Sequence, residues 1–100
     1  MEGTLRAGLS PVAFGHIFNI GYPEEISIRA LAEKVRSITG RWVPIRFLPF
    51  SEVYGSDFEE VPRRVPEVSR ARALLGFEAR VTLDEGLQRT WEWWRTCRRV

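Results

Sequence analysis

"HIFNIGYPEEISIRALAEKVRSITGRWVPIRFLPF", residues 16–50, decides the fold class on a first reading. "HIFNIG" (16–21) is a compact apolar run ended by glycine, the pattern of a buried strand. "YPEE" (22–25) reads as a turn. Ser27 then caps a helix running to about Thr39, with Ile28, Leu31, Ala32, Val35 and Ile38 on one stripe at helical spacing. Gly40 supplies a left-handed stop. "VPIRFLPF" (43–50) follows as a second strand with prolines at its margins, where they cost least. Strand, helix, strand in that order predicts a right-handed parallel crossover.

On the N-terminal side, residues 1–15 hold Gly3, Gly8, Gly15 and Pro11 and read as a short helical stub and a loop. On the C-terminal side, residues 51–67 read as a loop with aromatic and acidic content, and loops of that length are often functional. Ser69 caps a short helix closed by Gly76. Thr82 and Glu85 form the "TLDE" capping box of a last helix, whose Leu83, Leu87, Trp91 and Trp94 lie along one face and are expected in the core. Trp93 points away from them by about two-thirds of a turn. The expected fold is α/β, one small domain over residues 1–100: two short parallel strands, a crossover helix and two C-terminal helices.

Composition narrows the chemistry. A chain of 100 residues is one domain by length and hides only about two-thirds of its unfolded surface. Its hydrophobic content of 44% is that of a globular protein. It holds no apolar run of around 18 residues, so no membrane is expected, and its N-terminus lacks the basic start and apolar core of a secretory signal. Cys97 is the single cysteine and fits a reducing cytoplasm. With His16 the only histidine, a usual zinc site has too few ligands and a nucleophile–histidine centre has only one candidate base. No G-x-G-x-x-G fingerprint and no phosphate-binding P-loop occurs. Tyr22 and Tyr54 are followed four positions later by Ile26 and Phe58, so neither forms a Tyr–Lys proton-transfer pair. The net charge is only +2, and the tail arginines Arg89, Arg95, Arg98 and Arg99 read as complements to a helix dipole rather than a nucleic-acid surface.

"VPRRVPEVSRARALLG" (61–76) is the segment with chemical content. Arg64 can fork two N–H donors onto one phosphate, a charge-assisted contact of roughly 1.5–3 kcal/mol. Arg63 stands beside it, and Pro62 and Pro66 stiffen the backbone on either side. Glu67, three residues after Arg64, can accept hydrogen bonds from two neighbouring hydroxyls, as on a ribose. On spacing alone the ordinary reading holds: Glu67 stabilises a helix start and the arginines are solvated.

The neighbouring segments change those odds. "HIFNIGYPEEISIRALAEKVRSITG", "VPIRFLPFSEVYG" and "VPRRVPEVSRARALLGFEARVTLDEGLQRTWEWW", in unbroken order from Gly15 to Trp94, resemble the C-terminal part of extended short-chain dehydrogenases/reductases. These are NAD-dependent nucleotide-sugar epimerases and dehydratases, and the resemblance is greatest to the UDP-glucuronate decarboxylase-like branch. It implies that the family's Rossmann half, with its NAD site and catalytic tyrosine and lysine, is missing, so that this chain reads as a fragment without bound cofactor or catalysis of its own. It also implies substrate-binding roles: Arg64 on the diphosphate of a nucleotide sugar, Glu67 on the ribose, and Arg63 as an adjacent contributor. Glu67 departs from the Asp more usual in the family. The competing expectation is an interaction or oligomerisation module that uses Trp93 and other exposed apolar surface.

Overall fold

The computed structural model describes residues 1–55 and 63–97. Its regular structure is entirely helical: α1 (Glu2–Leu9), a 3-10 turn (Pro11–Ala13), α2 (Ile28–Thr39), α3 (Phe50–Tyr54), α4 (Ser69–Leu75) and α5 (Leu83–Cys97). Pro62, Arg98 and Arg99 lie outside the described residues. The chain divides into two units, one made of Met1–Glu25 with Val65–Val100, the other of Ile26–Arg64.

The two expected parallel strands are absent from the described residues, and the α/β assignment with them. An apolar run becomes a strand only if its backbone enters a ladder. In residues 16–21 the backbone is engaged otherwise. His16 N–H closes a turn onto the Ala13 carbonyl at 3.1 Å, and the Ile17 carbonyl accepts from the Arg70 guanidinium at 3.0 Å. In residues 43–50, Pro44 and Pro49 have no N–H, Val43 N–H turns back to the Arg41 carbonyl at 3.1 Å, and Phe50 opens α3. Helix α3 falls at the start of what the sequence presents as a loop.

The first unit is organised around α4. Ala71 and Leu75 of this helix and Ala13 of the 3-10 turn are buried, with Ala7, Phe18 and Phe77 packed against them. Gly76 takes φ 58°, a left-handed stop, and the N–H groups of Gly76 and Phe77 both reach back to the Ala71 carbonyl, that of Phe77 at 3.3 Å. A cation from far along the chain completes this end. Arg6 on α1 donates from one guanidinium nitrogen to the carbonyls of Leu75 at 3.3 Å and Gly76 at 2.7 Å. Positive charge is favoured there by the helix dipole.

The last helix, α5, starts as expected, with Thr82 Oγ1 accepting from Glu85 N–H at 3.3 Å. The Glu85 carboxylate pairs with Arg89 one turn on. None of its described side chains is buried, so Trp91 and Trp94 do not form a core. They stack on each other, with centroids 5.1 Å apart and planes at 16°. Trp93 is 65% exposed.

In the second unit α2 has the expected ends. Ser27 Oγ accepts from Ala30 N–H at 3.1 Å, and Gly40 takes φ 64°. Its apolar stripe is only partly covered: Ile28 is 79% exposed and no α2 residue is buried. Two cation–π contacts join the helix to the segment that follows, Arg29 over Phe47 at 5.8 Å and Arg36 over Trp42 at 4.3 Å.

Gly3 carries a test of the first unit's packing. A Cβ placed there meets the Phe77 ring at 2.9 Å and Ile20 at 3.1 Å, so α1 sits where it does because this residue has no side chain. Gly3→Ala is expected to destabilise by about 1–3 kcal/mol despite its better helix propensity, the range for overpacking a small core. A thermal melt followed by circular dichroism checks this, and an unchanged or raised Tm refutes it.

Candidate functional site

Of the family-implied residues, Arg63 and Arg64 belong to the second unit and Glu67 to the first. All three are exposed. Arg64 has no hydrogen-bond or ion-pair partner among the described residues, leaving its five N–H donors to solvent or to a ligand.

Glu67 is held in place by its own helix. Ser69 was expected to cap α4, but it is the first helical residue and acts as a donor. Its backbone N–H reaches one Glu67 oxygen at 3.1 Å and its hydroxyl the other at 2.8 Å. The carboxylate is therefore the cap, sitting where the helix dipole favours negative charge. The Ser69 hydroxyl, and next its N–H, hold the Glu67 carboxyl below its ordinary value of 4.5, with Arg70 and Arg72 acting in the same direction. Glu67 is thus ionised and acceptor-only near neutral pH. Each oxygen takes one bond from Ser69 and keeps lone-pair capacity for another donor.

The segment around residue 67 is positioned by residues 17–21. Asn19 Nδ2 donates to the Glu67 carbonyl at 3.2 Å, and Arg70 reaches the Ile17 carbonyl. Gly21 allows a close approach, since a Cβ on it lies 3.1 Å from Pro66 Cγ. Asn19, Gly21 and Arg70 are thus supporting residues to which the sequence reading gives no role at this site, and Ser69 supports it as a donor instead of as the helix cap. One signal was available: Asn19 is a lone amide in an apolar run, and such a group needs a hydrogen-bond partner.

Among the described residues no group of His, Cys, Asp and Glu is placed to hold a metal ion, and no helix is long and apolar enough to cross a membrane. His16 is exposed, its ring 6.3 Å from Phe18, and Cys97 is exposed at the end of α5. The positive-φ glycines Gly40, Gly55 and Gly76 end helices, and Gly15 follows the 3-10 turn. A dinucleotide cradle needs glycines ahead of a helix N-terminus, so the described residues do not fit the NAD that the family resemblance implies.

A depressed carboxyl pKa stabilises the folded state above the unfolded value, and that contribution is lost as pH falls through the folded one. Glu67→Gln is therefore expected to lower stability near neutral pH, with the gap to the parent chain closing as the solution is acidified below 4.5. Denaturation series at several pH values read this directly. A gap independent of pH contradicts the cap. Ser69→Ala should bring the Glu67 titration, followed by NMR, back up toward the ordinary range.

No protein-family model and no solved structure matches the chain. Curated proteins do. The chain is 34% identical over 95 residues to a UDP-N-acetyl-alpha-D-glucosaminuronate decarboxylase of Bacillus cytotoxicus, covering 95% of this chain and 29% of that protein. It is 36% identical over 72 residues to UDP-glucuronic acid decarboxylase 1 of Danio rerio, covering 72% of this chain and 16% of the relative. It is 31% identical over 86 residues to UDP-D-apiose/UDP-D-xylose synthase 2 of Arabidopsis thaliana, covering 78% of this chain and 22% of the relative. The chain thus spans less than a third of the length of each. Because the Bacillus match takes in 95 residues of this chain, the Arg63–Glu67 stretch lies within it. By these matches and the ordered motifs from Gly15 to Trp94, the chain belongs to the extended short-chain dehydrogenase/reductase family of nucleotide-sugar epimerases and dehydratases, on its UDP-glucuronate decarboxylase-like branch, and matches the C-terminal part.

Proposed function

We propose that this chain is the nucleotide-sugar-anchoring part of an NAD-dependent epimerase/dehydratase-type enzyme. Arg64 grips the diphosphate, Arg63 adds charge beside it, and Glu67 accepts from the ribose hydroxyls. The observation that carries this reading is the match to enzymes named for UDP-sugars across the stretch that holds these residues. The local chemistry supports it. Arg64 has its donors unspent among the described residues, and Glu67 is an oriented, ionised carboxylate with acceptor capacity left on both oxygens. The longer Glu side chain in place of Asp is steadied by Ser69, which offsets the extra torsion. Binding energy from a nucleotide anchored away from the reacting carbon raises turnover as well as affinity. In this reading the NAD site and the catalytic tyrosine and lysine belong to a Rossmann-type partner segment.

UDP titrated into the labelled chain is expected to shift the backbone amides of Arg63, Arg64 and Glu67 at millimolar concentration. Arg64→Ala should weaken that binding by roughly ten- to hundredfold, the equivalent of losing one charge-assisted contact. Unchanged affinity in the variant, or shifts elsewhere only, overturns the assignment. The chain alone is expected to form no NADH from UDP-glucuronate and NAD, and steady absorbance growth at 340 nm would contradict the division of labour.

A second reading, an interaction module, draws on apolar side chains left in solvent in the first unit, Ile17 at 82% and Phe14 at 84% exposed. Sedimentation separates the two. A tight self-association indifferent to UDP favours the module, and a monomer that binds UDP favours the anchor.

A further inference from the structure

The second unit carries a cleft that the preceding assignment does not use. It has a volume of about 490 Å³ and is lined by Glu33, Arg36, Ser37, Gly40 and Trp42. That is the size of a small-molecule site. One wall is the indole of Trp42, which is 88% exposed and has the Arg36 guanidinium over it at 4.3 Å. The indole is a flat apolar platform whose orientation this cation–π contact favours. Gly40 also lines the cleft, and a Cβ built on it meets nothing within 4 Å.

The lining itself carries one carboxylate and one guanidinium, those of Glu33 and Arg36. The Glu33 carboxylate is paired with Arg29 Nε at 3.2 Å. Arg36 stands in the last turn of α2, where the carbonyl end of the dipole carries about half a negative charge. By formal charge the lining is therefore neutral, with Arg41 the nearest further cation in sequence, between Gly40 and Trp42. It offers hydrogen-bonding capacity instead: guanidinium N–H donors on Arg36, the Ser37 hydroxyl, and the second oxygen of Glu33 as acceptor. A flat apolar wall beside several neutralised polar groups suits a ligand with an apolar ring face and a rim of hydroxyls.

We propose that this cleft binds a neutral pyranose, with the C–H face of the sugar ring on Trp42 and its hydroxyls on Arg36, Ser37 and Glu33. The site shares no residue with Arg63, Arg64 or Glu67, so it stands or falls independently of the nucleotide-sugar reading.

The test uses the full ¹⁵N-labelled chain titrated with methyl β-D-glucopyranoside. The Trp42 indole N–H, assigned by its loss in Trp42→Phe, and the amides of Ser37 and Gly40 are expected to shift saturably with a roughly millimolar Kd. Trp42→Ala should weaken binding at least about tenfold while Trp42→Phe, which keeps a ring, loses less. Glu33→Gln and Arg36→Ala each weaken it. Unchanged amide spectra for the rest of α2 show that the variants are folded. Three results overturn the proposal: no shift at a glycoside concentration of about 50 mM, affinity unchanged in Trp42→Ala, or larger shifts at these residues with inorganic phosphate or UDP than with the glycoside. The last marks an anion site. Resonances that move with protein concentration alone mark Trp42 as a self-association contact and also overturn it.

Discussion

The two ends of α4 are secured from outside the helix, and the first unit depends on this. A helix of seven residues is far too short to persist by its own hydrogen bonds, because nucleation is costly and few bonds follow it. Glu67 supplies the missing acceptor at the N-terminus, and Arg6, 69 residues before Leu75, supplies the missing donor at the C-terminus. Ala71 and Leu75 then bury on the face between them. Among the described residues only small and medium apolar groups are buried in this unit, so end-capping is a larger share of what orders it than it is in a domain with a broad core.

This arrangement ties structure to the proposed chemistry. The carboxylate that caps α4 is the one the family resemblance places on a ribose. The two roles are compatible because Ser69 uses one lone pair on each oxygen and because both roles need the ionised form. The cap also orients the group in advance, so less side-chain freedom is lost when a ligand arrives. Asn19 and Gly21 do the same for the backbone that carries it, one by bonding the Glu67 carbonyl and the other by leaving space for Pro66.

Local signals in the sequence were accurate where the controlling contacts are local. Ser27 and Gly40 bound α2, Gly76 ends α4, and Thr82 opens α5, each within one or two turns of its partner. The errors share a cause. Residues 16–21 and 43–50 have the apolar character of strands, but that pattern is blind to whether a ladder partner is within reach. Here Arg70 takes the Ile17 carbonyl, and prolines interrupt the second segment. The stripe of Trp91 and Trp94 likewise marks an apolar helix face and not its cover; the two rings cover each other. Ser69 was misread because a serine ahead of an apolar run is a common N-cap, while Glu67, two residues earlier, holds the stronger acceptor.

By itself the sequence determined the helices with local caps, the absence of a dinucleotide fingerprint, and the family, which a relative at about a third identity shows as well. Those properties are written in residues a few positions apart, or in their order along the chain. Only the tertiary structure decided that the strand-like runs form no sheet, that Glu67 is a cap, and that Arg6, Asn19 and Arg70 bind carbonyls 48 to 70 residues away. It also decided that Arg36 lies across Trp42. Hydrogen bonds and ring contacts depend on distance in space, and a pattern of residue types along a chain carries no record of which distant groups meet.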